Sequence, residues 1–463
     1  MLRVRNLLVA VLTALVVAVP AQAKPQLGIA GDLPRFHTLT AQSSTVHQAF
    51  LGWGQGLSYG SPFVSLLGTL TPVPMIHLGT GQRPPSTREA ITPAQIAAGR
   101  GDSYLFALNA AIAQWGKGIY VRPLAEMNND GNLWSGFTKS GAPKPGHEPA
   151  AYREAFARIY LILHGGSAAA IDAKLKALGM PPVAHDLASN PFPRLRVVWS
   201  PLAGGNPRIP ANAAQNYYPG AAHVDVEGGD IFEESLGDSA PWADLGALYA
   251  GAVSRHRPFS IPEWGLFGVD DDAFVQHMCA FLKTHPATEE AGFYDSRPGS
   301  IFDLATKPKS KQMYHGCITP LGAPPPAWAA GSAASGPTAA GPGVTFTVQG
   351  GPIAASPVQA PIGANGLEVN IVPATGVIGS AFWIRDGHSL GPMTVPPGAD
   401  GVVFQTTAGT APTPITRPAG GTDFHLVWSS SGAITSAWWT RVGKLLAQIP
   451  VTAGEMSIAM TQG

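Results

Sequence analysis

Two glutamates each follow a short apolar run, and this placement favours acid–base chemistry. Glu126 comes directly after the segment 119–125 (IYVRPLA), and Glu263 ends the segment 257–263 (RPFSIPE). A carboxylate at the C-terminal end of a buried parallel strand is where an α/β barrel carries its catalytic groups. Cleavage of a glycosidic bond needs two such carboxyl groups, one protonated and one ionised. The pair therefore predicts hydrolysis of a glycoside, with Glu126 and Glu263 as the catalytic residues.

Short apolar segments alternate with helical ones between residue 26 and about residue 317. Eight of the apolar segments are predicted strands, at residues 27–30, 47–53, 73–78, 119–124, 195–199, 223–227, 259–262 and 291–294. Apolar residues at helical spacing predict helices between them, among others at 103–115, 152–163, 240–254 and 272–283. This alternation predicts a (β/α)8 TIM barrel over residues 24–320, with Glu126 and Glu263 after the fourth and seventh strands.

The rest of the chain has a different composition, and 463 residues are more than one hydrophobic core usually serves. Residues 321–343 are rich in Pro, Ala, Gly and Ser, which predicts an extended linker. Residues 344–463 contain short β-prone runs between Gly and Pro turns, which predicts a small all-β, sandwich-like accessory domain. Its tryptophans, Trp383, Trp428, Trp438 and Trp439, could form a sugar-binding face or the core. Neighbours on a strand point to opposite faces, so at least one of Trp438 and Trp439 belongs to the core.

The N-terminus has the pattern of an export signal. Arg3 and Arg5 precede an apolar run at 7–19 and a small-x-small cleavage site at 21–23 (AQA), which is typical of a signal peptide spanning 1–23. An uncleaved anchor is the alternative. We expect a secreted protein, extracellular or periplasmic, that is free of the membrane after cleavage. In an oxidising compartment the two cysteines, Cys279 and Cys317, predict one disulfide, with a pair of free buried thiols as the alternative.

The charge balance excludes several classes of partner. Lys and Arg total 29, as do Asp and Glu, so there is no basic field to attract nucleic acid.

The 13 histidines are scattered and no HExxH motif occurs, so we predict neither a metal nor a cofactor. A neutral polysaccharide is the expected partner, and we expect a monomer.

Four segments resemble, in order and spacing, the motifs of glycoside hydrolase family 26 and its clan. They are RPLAEMNNDGNLW at 122–134, NYYPGAAHVD at 216–225 with Asp230 after it, SIPEWG at 260–265, and GFY at 292–294 with FDL at 302–304 and PKS at 308–310. The resemblance spans residues 26–317. It implies a retaining mechanism in which Glu126 is the acid/base and Glu263 the nucleophile. It also implies β-1,4-mannan, or a related β-glucan or xylan, as the substrate.

The chain departs from the family pattern at three places. Ala125 stands where family members often have His, and Phe232 stands where they often have a Tyr whose hydroxyl orients the nucleophile. The eighth strand ends with Tyr294 and Asp295 and has no Trp. Ala125 and Phe232 leave open a non-catalytic carbohydrate-binding protein on the same scaffold. A polymer-remodelling enzyme that uses the same residues is a further alternative, because the sequence does not distinguish transfer from hydrolysis.

The candidate substrate-binding residues lie at or just beyond the predicted strand ends. They are Arg122, Asn128, Trp134, Trp53, His77, Trp199, Tyr218, Asp230 and Trp264. Each has a structural alternative: the tryptophans could pack in the core rather than stack on a sugar, and Asn128 could tie a loop. Arg122 could hold Glu263 ionised or form an ion pair within the barrel.

Overall fold

The computed structural model describes the N-terminal part of the chain almost continuously. The described residues are 24–70, 72–82, 88–183, 185–237 and 240–330, then 345–349, 358–359, 364–372, 375–385, 388–393, 395, 401–405, 413–428, 434–441, 444–450 and 457–461. The predicted signal peptide and residues 331–343 of the predicted linker lie outside them.

A closed parallel sheet forms the centre of the N-terminal part. Its strands are β1 (Gln26–Gly31), β2 (Val46–Leu51), β3 (Val73–Leu78), β4 (Ile119–Pro123), β5 (Leu195–Trp199), β6 (Val226–Gly228), β7 (Ile231–Glu233), β8 (Phe259–Leu266) and β9 (Thr288–Ser296). Their order is β6-β5-β4-β3-β2-β1-β9-β8-β7, and a further β6–β8 pairing closes the sheet. Because β6 and β7 both pair with β8, they share one position of an eight-stranded barrel. The predicted TIM barrel is confirmed.

Helices cover the outer face of the barrel. They are α1 (Leu33–Thr40), α2 (Phe63–Thr69), α3 (Pro93–Ala97), α4 (Asp102–Trp115), α5 (Pro149–His164), α6 (Ala168–Ala177), α7 (Ala240–Ser254), α8 (Asp272–Thr284) and α9 (Pro308–Met313). Every residue of β3 and β8 is buried, because one face of each strand meets the barrel interior and the other meets this helical layer. Such strands appear in the sequence as nearly continuous apolar runs, which is why they were predictable.

The segment 322–330 closes the N-terminal end of the barrel. The Trp328 ring packs edge-to-face on Tyr120, with centroids 5.3 Å apart, and the Arg196 guanidinium lies 4.2 Å from the centroid of the Trp328 ring. The Ala329 carbonyl accepts a hydrogen bond from the Gly118 N–H, 3.2 Å away. The predicted boundary at residue 320 is therefore about ten residues too early. The Pro- and Ala-rich composition concealed a tryptophan that anchors the segment.

The predicted disulfide is present. Cys279 of α8 is joined to Cys317, which lies in a π-helical turn (Tyr314–Ile318) after α9, and their Cα atoms are 6.0 Å apart. The bond fastens the last turn of the barrel domain to the helix that follows β8.

Two sheets form the C-terminal part. Their strands are β10 (Thr345–Gln349), β11 (Val358–Gln359), β12 (Gly366–Ile371), β13 (Ile378–Arg385), β14 (His388–Met393), β15 (Gly401–Gln405), β16 (Thr413–Thr416), β17 (Asp423–Trp428), β18 (Ile434–Arg441), β19 (Lys444–Ile449) and β20 (Ser457–Thr461). Five strands form one sheet (β11-β10-β15-β20-β16) and six form the other (β14-β13-β12-β17-β18-β19). Phe404 of the first sheet contacts Trp428 of the second, with centroids 4.8 Å apart, so the sheets share a core. This confirms the sandwich-like all-β fold.

The four tryptophans of this part divide between core and surface. Trp383, Trp428 and Trp439 are buried in the core. Trp438 points to the opposite face, where it stacks on His425 with centroids 5.0 Å apart. The expected alternation of Trp438 and Trp439 is thus confirmed, and Trp438 alone of the four is left on the outer face of its sheet.

Candidate active site

The predicted glutamates meet in one cleft at the C-terminal end of the barrel. This cleft has a volume of about 420 Å³, and both Glu126 and Glu263 line it. Glu126 follows β4 directly, whereas Glu263 belongs to β8, on the other side of the barrel. The barrel therefore brings together two carboxyl groups that are far apart in the sequence.

A tight turn after β4 places Glu126 at the mouth of the barrel. Leu124 and Glu126 have left-handed backbones, with φ of 50° and 49°. The Leu124 N–H donates to the Leu78 carbonyl and the Glu126 N–H to the Ser200 carbonyl, each at 2.8 Å. Such a conformation costs a residue other than glycine about 1–3 kcal/mol and persists only where the surroundings enforce it. Here the hydrogen bonds to the ends of β3 and β5 do so.

The carboxyl group of Glu126 lies among neutral amides. Its Oε2 accepts hydrogen bonds from the side-chain amide of Asn129 at 2.9 Å and from that of Asn132 at 3.4 Å. Burial, and then the negative charge of Glu263, raise the pKa of Glu126 to about 7, against the opposing effects of Arg122 and the two amides. Near neutral pH a large share of Glu126 is consequently protonated and able to act as an acid.

The carboxylate of Glu263 lies against a buried cation. The Arg122 guanidinium, which is 0% exposed, donates to Glu263 Oε1 and to Asp230 Oδ2. It also donates to the Ser200 hydroxyl at 2.7 Å, while Asp230 Oδ1 accepts the backbone N–H of Glu263 at 3.0 Å. A guanidinium that bridges two carboxyl groups fixes their orientation. Arg122 and Asp230 thus lie beneath the cleft, where they hold Glu263.

His77 and Trp134 are the two predicted substrate-binding residues that line the cleft itself. Neither ring nitrogen of His77 has a hydrogen-bond partner, and Nδ1 is 3.9 Å from Glu263 Oε1. Burial, reinforced by the charge of Arg122, lowers the pKa of His77, so its imidazole is neutral at pH 7. The indole N–H of Trp134 donates to the Ala125 carbonyl at 2.8 Å, which fixes its ring in the loop after Glu126.

The prediction that Trp264 stacks on a sugar is wrong. Trp264 is 0% exposed and stacks on Tyr314, with centroids 5.5 Å apart, in the layer between the strands and the helices. It follows Glu263 on the same strand, and adjacent strand residues point to opposite faces. Because Glu263 faces the barrel interior, Trp264 must face outward.

Four other candidates also lie outside the cleft. Trp199 and Tyr218 contact each other edge-to-face and line a separate cavity of about 570 Å³ beside α7. Trp53 packs on Tyr104, with ring centroids 5.0 Å apart. The side chain of Asn128 bonds the backbone N–H and carbonyl of Leu202 at 2.9 and 2.8 Å, so it ties the loop, as the alternative proposed. Trp53, Trp199 and Tyr218 thus do not line the cleft, and substrate contacts of these three residues stay predictions.

Several residues of the cleft were not among the candidates. On one side these are the two asparagines that bond Glu126; on the other they are Phe50, Phe232, Phe267, Tyr294 and Phe302. The asparagines stand within the motif at 122–134, three and six residues after Glu126, so they could have been selected from the sequence. The phenylalanines carry no polar group that would distinguish them from core residues in a sequence.

The described residues offer no site for a metal ion, since no group of three or more His, Cys, Asp or Glu side chains in them is suitably arranged. Among these same residues no helix is long and apolar enough to cross a membrane.

Comparison with known proteins gives matches to solved structures alone. No family model matches the sequence, and no curated protein does. The fold is similar to that of Bacillus subtilis mannanase man26, at 18% identity over 64% of this chain and 86% of the other, with a TM-score of 0.42. It is similar to the GH26 β-mannanase BoMan26A of Bacteroides ovatus, at 14% identity over 64% and 86%, with a TM-score of 0.42. A modular family 26 endo-β-1,4-mannanase of Cellulomonas fimi is 12% identical over 95% and 94%, with a TM-score of 0.45. These structures belong to the family that the sequence motifs resemble.

Proposed function

We propose that this protein is a glycoside hydrolase that cleaves a β-1,4-linked polysaccharide with retention of configuration, the substrate being β-mannan or a related β-glucan or xylan. The observation that carries the proposal is that Glu126 and Glu263 share one cleft in opposite surroundings. Burial favours the protonated form of Glu126, whereas Glu263 contacts a buried guanidinium. One acid and one charged nucleophile are what a retaining glycosidase needs.

The reaction would proceed in two displacements. In the first, Glu126 gives its proton to the glycosidic oxygen while the Glu263 carboxylate attacks the anomeric carbon. The bond to the leaving sugar breaks, and a glycosyl ester of Glu263 forms. In the second, the now ionised Glu126 takes a proton from a water molecule that attacks the same carbon, and the ester bond breaks. Two inversions leave the configuration unchanged.

Other residues of the cleft would bind the sugar. The free ring nitrogens of His77 lie close to Glu263 and are suited to a hydroxyl group of the sugar that reacts there. Trp134 presents its indole ring to the cleft, and the hydrogen bond of the indole N–H to the Ala125 carbonyl fixes that ring in the loop after Glu126. The signal-like N-terminal sequence supports export of a monomeric enzyme to the polymer outside the cell, as expected for a large substrate.

Reducing-sugar release would test this proposal. Wild-type protein and the Glu263→Ala variant are incubated with mannan, glucomannan, mixed-linkage glucan and xylan. We expect activity on one polymer, with a loss of about 10⁴-fold or more in kcat for the variant, as for removal of other enzymic nucleophiles. Glu234→Ala is the matched control, because Glu234 is an exposed glutamate that lines the same cleft, and it should retain activity. An equal loss in the control would contradict the assignment.

Azide distinguishes the roles of the two glutamates. The space left in Glu263→Ala admits an azide ion that attacks the anomeric carbon once, which gives a glycosyl azide of inverted configuration. In Glu126→Ala, assayed on an aryl glycoside whose leaving group departs without protonation, the azide attacks the glycosyl–Glu263 ester, which gives the retained product. Proton NMR of the products identifies each. If wild type releases no sugar from any polymer but binds one of them, the protein is a carbohydrate-binding protein on this scaffold.

A further inference from the structure

One side of the cleft is built from aromatic rings, which we call the phenyl wall. It consists of Phe50, Phe232, Phe267, Tyr294 and Phe302, all of which line the cleft. They come from β2, β7, the end of β8, β9 and the loop after β9, which are neighbours around the barrel mouth. The wall thus occupies the half of the mouth that carries Glu263. The amides, His77 and Trp134 come from the loop after β4 and from β3, in the other half.

The rings of the phenyl wall contact one another at steep angles. Tyr294 contacts Phe50, Phe232 and Phe302 with centroids 5.8, 6.0 and 4.8 Å apart, and all three contacts are edge-to-face. Phe302 also contacts Phe267 at 5.2 Å and 78°. Rings that stand at these angles do not form one flat platform for the apolar face of a pyranose. They form an apolar recess instead.

The phenyl wall remains open to a ligand. Phe267 is 42% exposed and Phe50 is 36% exposed, although both are large apolar side chains. Contiguous apolar surface of this kind in a groove marks a site where an apolar group binds. Within the wall, Tyr294 alone carries a hydroxyl group.

An unmodified sugar is poorly matched to this wall. Its hydroxyls would lose water on approaching the phenyl rings and gain few hydrogen bonds in return, which is unfavourable. An acyl ester on a hydroxyl removes the donor and adds a methyl group whose burial is favourable. The acyl group must also be uncharged, because Glu234 and Glu263 line the same cleft and would repel an acidic substituent.

We propose that the substrate is an O-acetylated glycan, and that the phenyl wall binds an acetyl group of the sugar next to Glu263. This proposal rests on the proposed glycosidase function and specifies its substrate. The amide-rich half of the cleft binds the hydroxyls that are not acylated, through His77, whereas Trp134 offers only its ring, since its indole N–H donates to the Ala125 carbonyl. Selectivity for the acetylated polymer then comes from the phenylalanines. Hydrogen-bonding side chains would not provide this selectivity.

The experiment compares one polymer in two forms, chemically acetylated glucomannan and the same preparation after alkaline deacetylation. We expect wild type to have a kcat/KM about tenfold higher on the acetylated form, the discrimination that one small apolar group provides in a hydrophobic pocket. Phe267→Asn should reduce this ratio about threefold or more. Phe267→Leu, which keeps an apolar side chain, should preserve most of the preference. Phe192→Asn is the matched control, since Phe192 is 48% exposed and lies beside Arg196, away from the cleft.

The outcomes separate the two proposals. Cleavage of the deacetylated form with a ratio of one or less would overturn the acetyl site and leave the glycosidase function intact. Cleavage of neither form would overturn the glycosidase function. In that case calorimetric titration of the protein with acetylated and deacetylated oligosaccharides tests whether the phenyl wall binds acetyl groups. Tighter binding of the acetylated oligosaccharides supports the acetyl site, and equal binding overturns it.

Discussion

Glu126 and Glu263 lie in the same cleft, yet the protein surrounds them differently. Glu126 accepts hydrogen bonds from neutral amides and is held in a strained turn. Glu263 lies on a regular strand and contacts a guanidinium that also holds Asp230. The comparison shows that two identical side chains differ through their neighbours: burial raises the pKa of Glu126, and a buried cation contacts Glu263.

Removal of the cation should have the largest effect. Arg122→Met would leave Glu263 and Asp230 buried without their partner, so we expect a loss of about 3–5 kcal/mol in the free energy of unfolding. Without the guanidinium the surroundings of Glu126 and Glu263 would become more alike. We therefore expect kcat to fall by about 10²-fold or more. Urea unfolding and initial rates measure the two effects. Arg122→Lys, which keeps the charge but not the two-pronged geometry, should recover part of the stability. Full activity of Arg122→Met would show that the cation has no role in charging Glu263.

A smaller change should alter only the surroundings of Glu126. The amide of Asn129 lowers the pKa of Glu126, so Asn129→Ala should raise that pKa further. The proposed acid must be protonated to act, so wild-type kcat/KM should decline above about pH 7. In the variant this alkaline limb should move to higher pH. Asn206→Ala, another asparagine of the cleft, is the control and should leave the limb in place. A shift to lower pH in Asn129→Ala would contradict the proposed acid.

Glu290 shows what burial does to a carboxyl group in the barrel interior that no guanidinium contacts directly. It belongs to β9, is 0% exposed and accepts a hydrogen bond from the Ser260 hydroxyl. Burial raises the pKa of Glu290 to about 8, against the opposing effects of Ser260 and Arg122. In the unfolded chain this group ionises above about pH 4.3, so the free energy of unfolding should fall as the pH rises from there to about 8.

Glu290→Gln removes this titration, so the decrease in Tm between pH 5 and pH 8 should be smaller in the variant than in wild type. Calorimetry at several pH values measures it. Glu154→Gln, at an exposed position on α5, is the control and should behave as wild type. An unchanged pH dependence in Glu290→Gln would mean that Glu290 is ionised in the folded protein.

The barrel could be predicted because its strands are buried on both faces, which leaves an unmistakable apolar pattern. The position of the sixth strand was harder to define, since β6 and β7 are only three residues each. The two glutamates of the cleft could be singled out for a related reason: a carboxylate at the end of a buried apolar run is costly unless something pairs with it.

The errors at the site come from side-chain direction. Trp264 and Trp199 were assigned to the cleft by their place at a strand end, but Glu263 and Ser200, their neighbours in sequence, face the barrel interior. Side chains alternate between the two faces of a strand, so the two residues of each pair cannot point to the same face. The phenyl wall could not be predicted, because its five members come from separate elements and only the closed barrel makes them neighbours.

The segment that covers the N-terminal end of the barrel determines where the chain can be divided. A truncated protein that ended at residue 320 would lose Trp328 and leave the ring of Tyr120 and the guanidinium of Arg196 open to water. A catalytic fragment should therefore extend at least to residue 330. The same segment leads on toward the sandwich, so a pull on the C-terminal part would be transmitted first to the end of the barrel opposite the cleft.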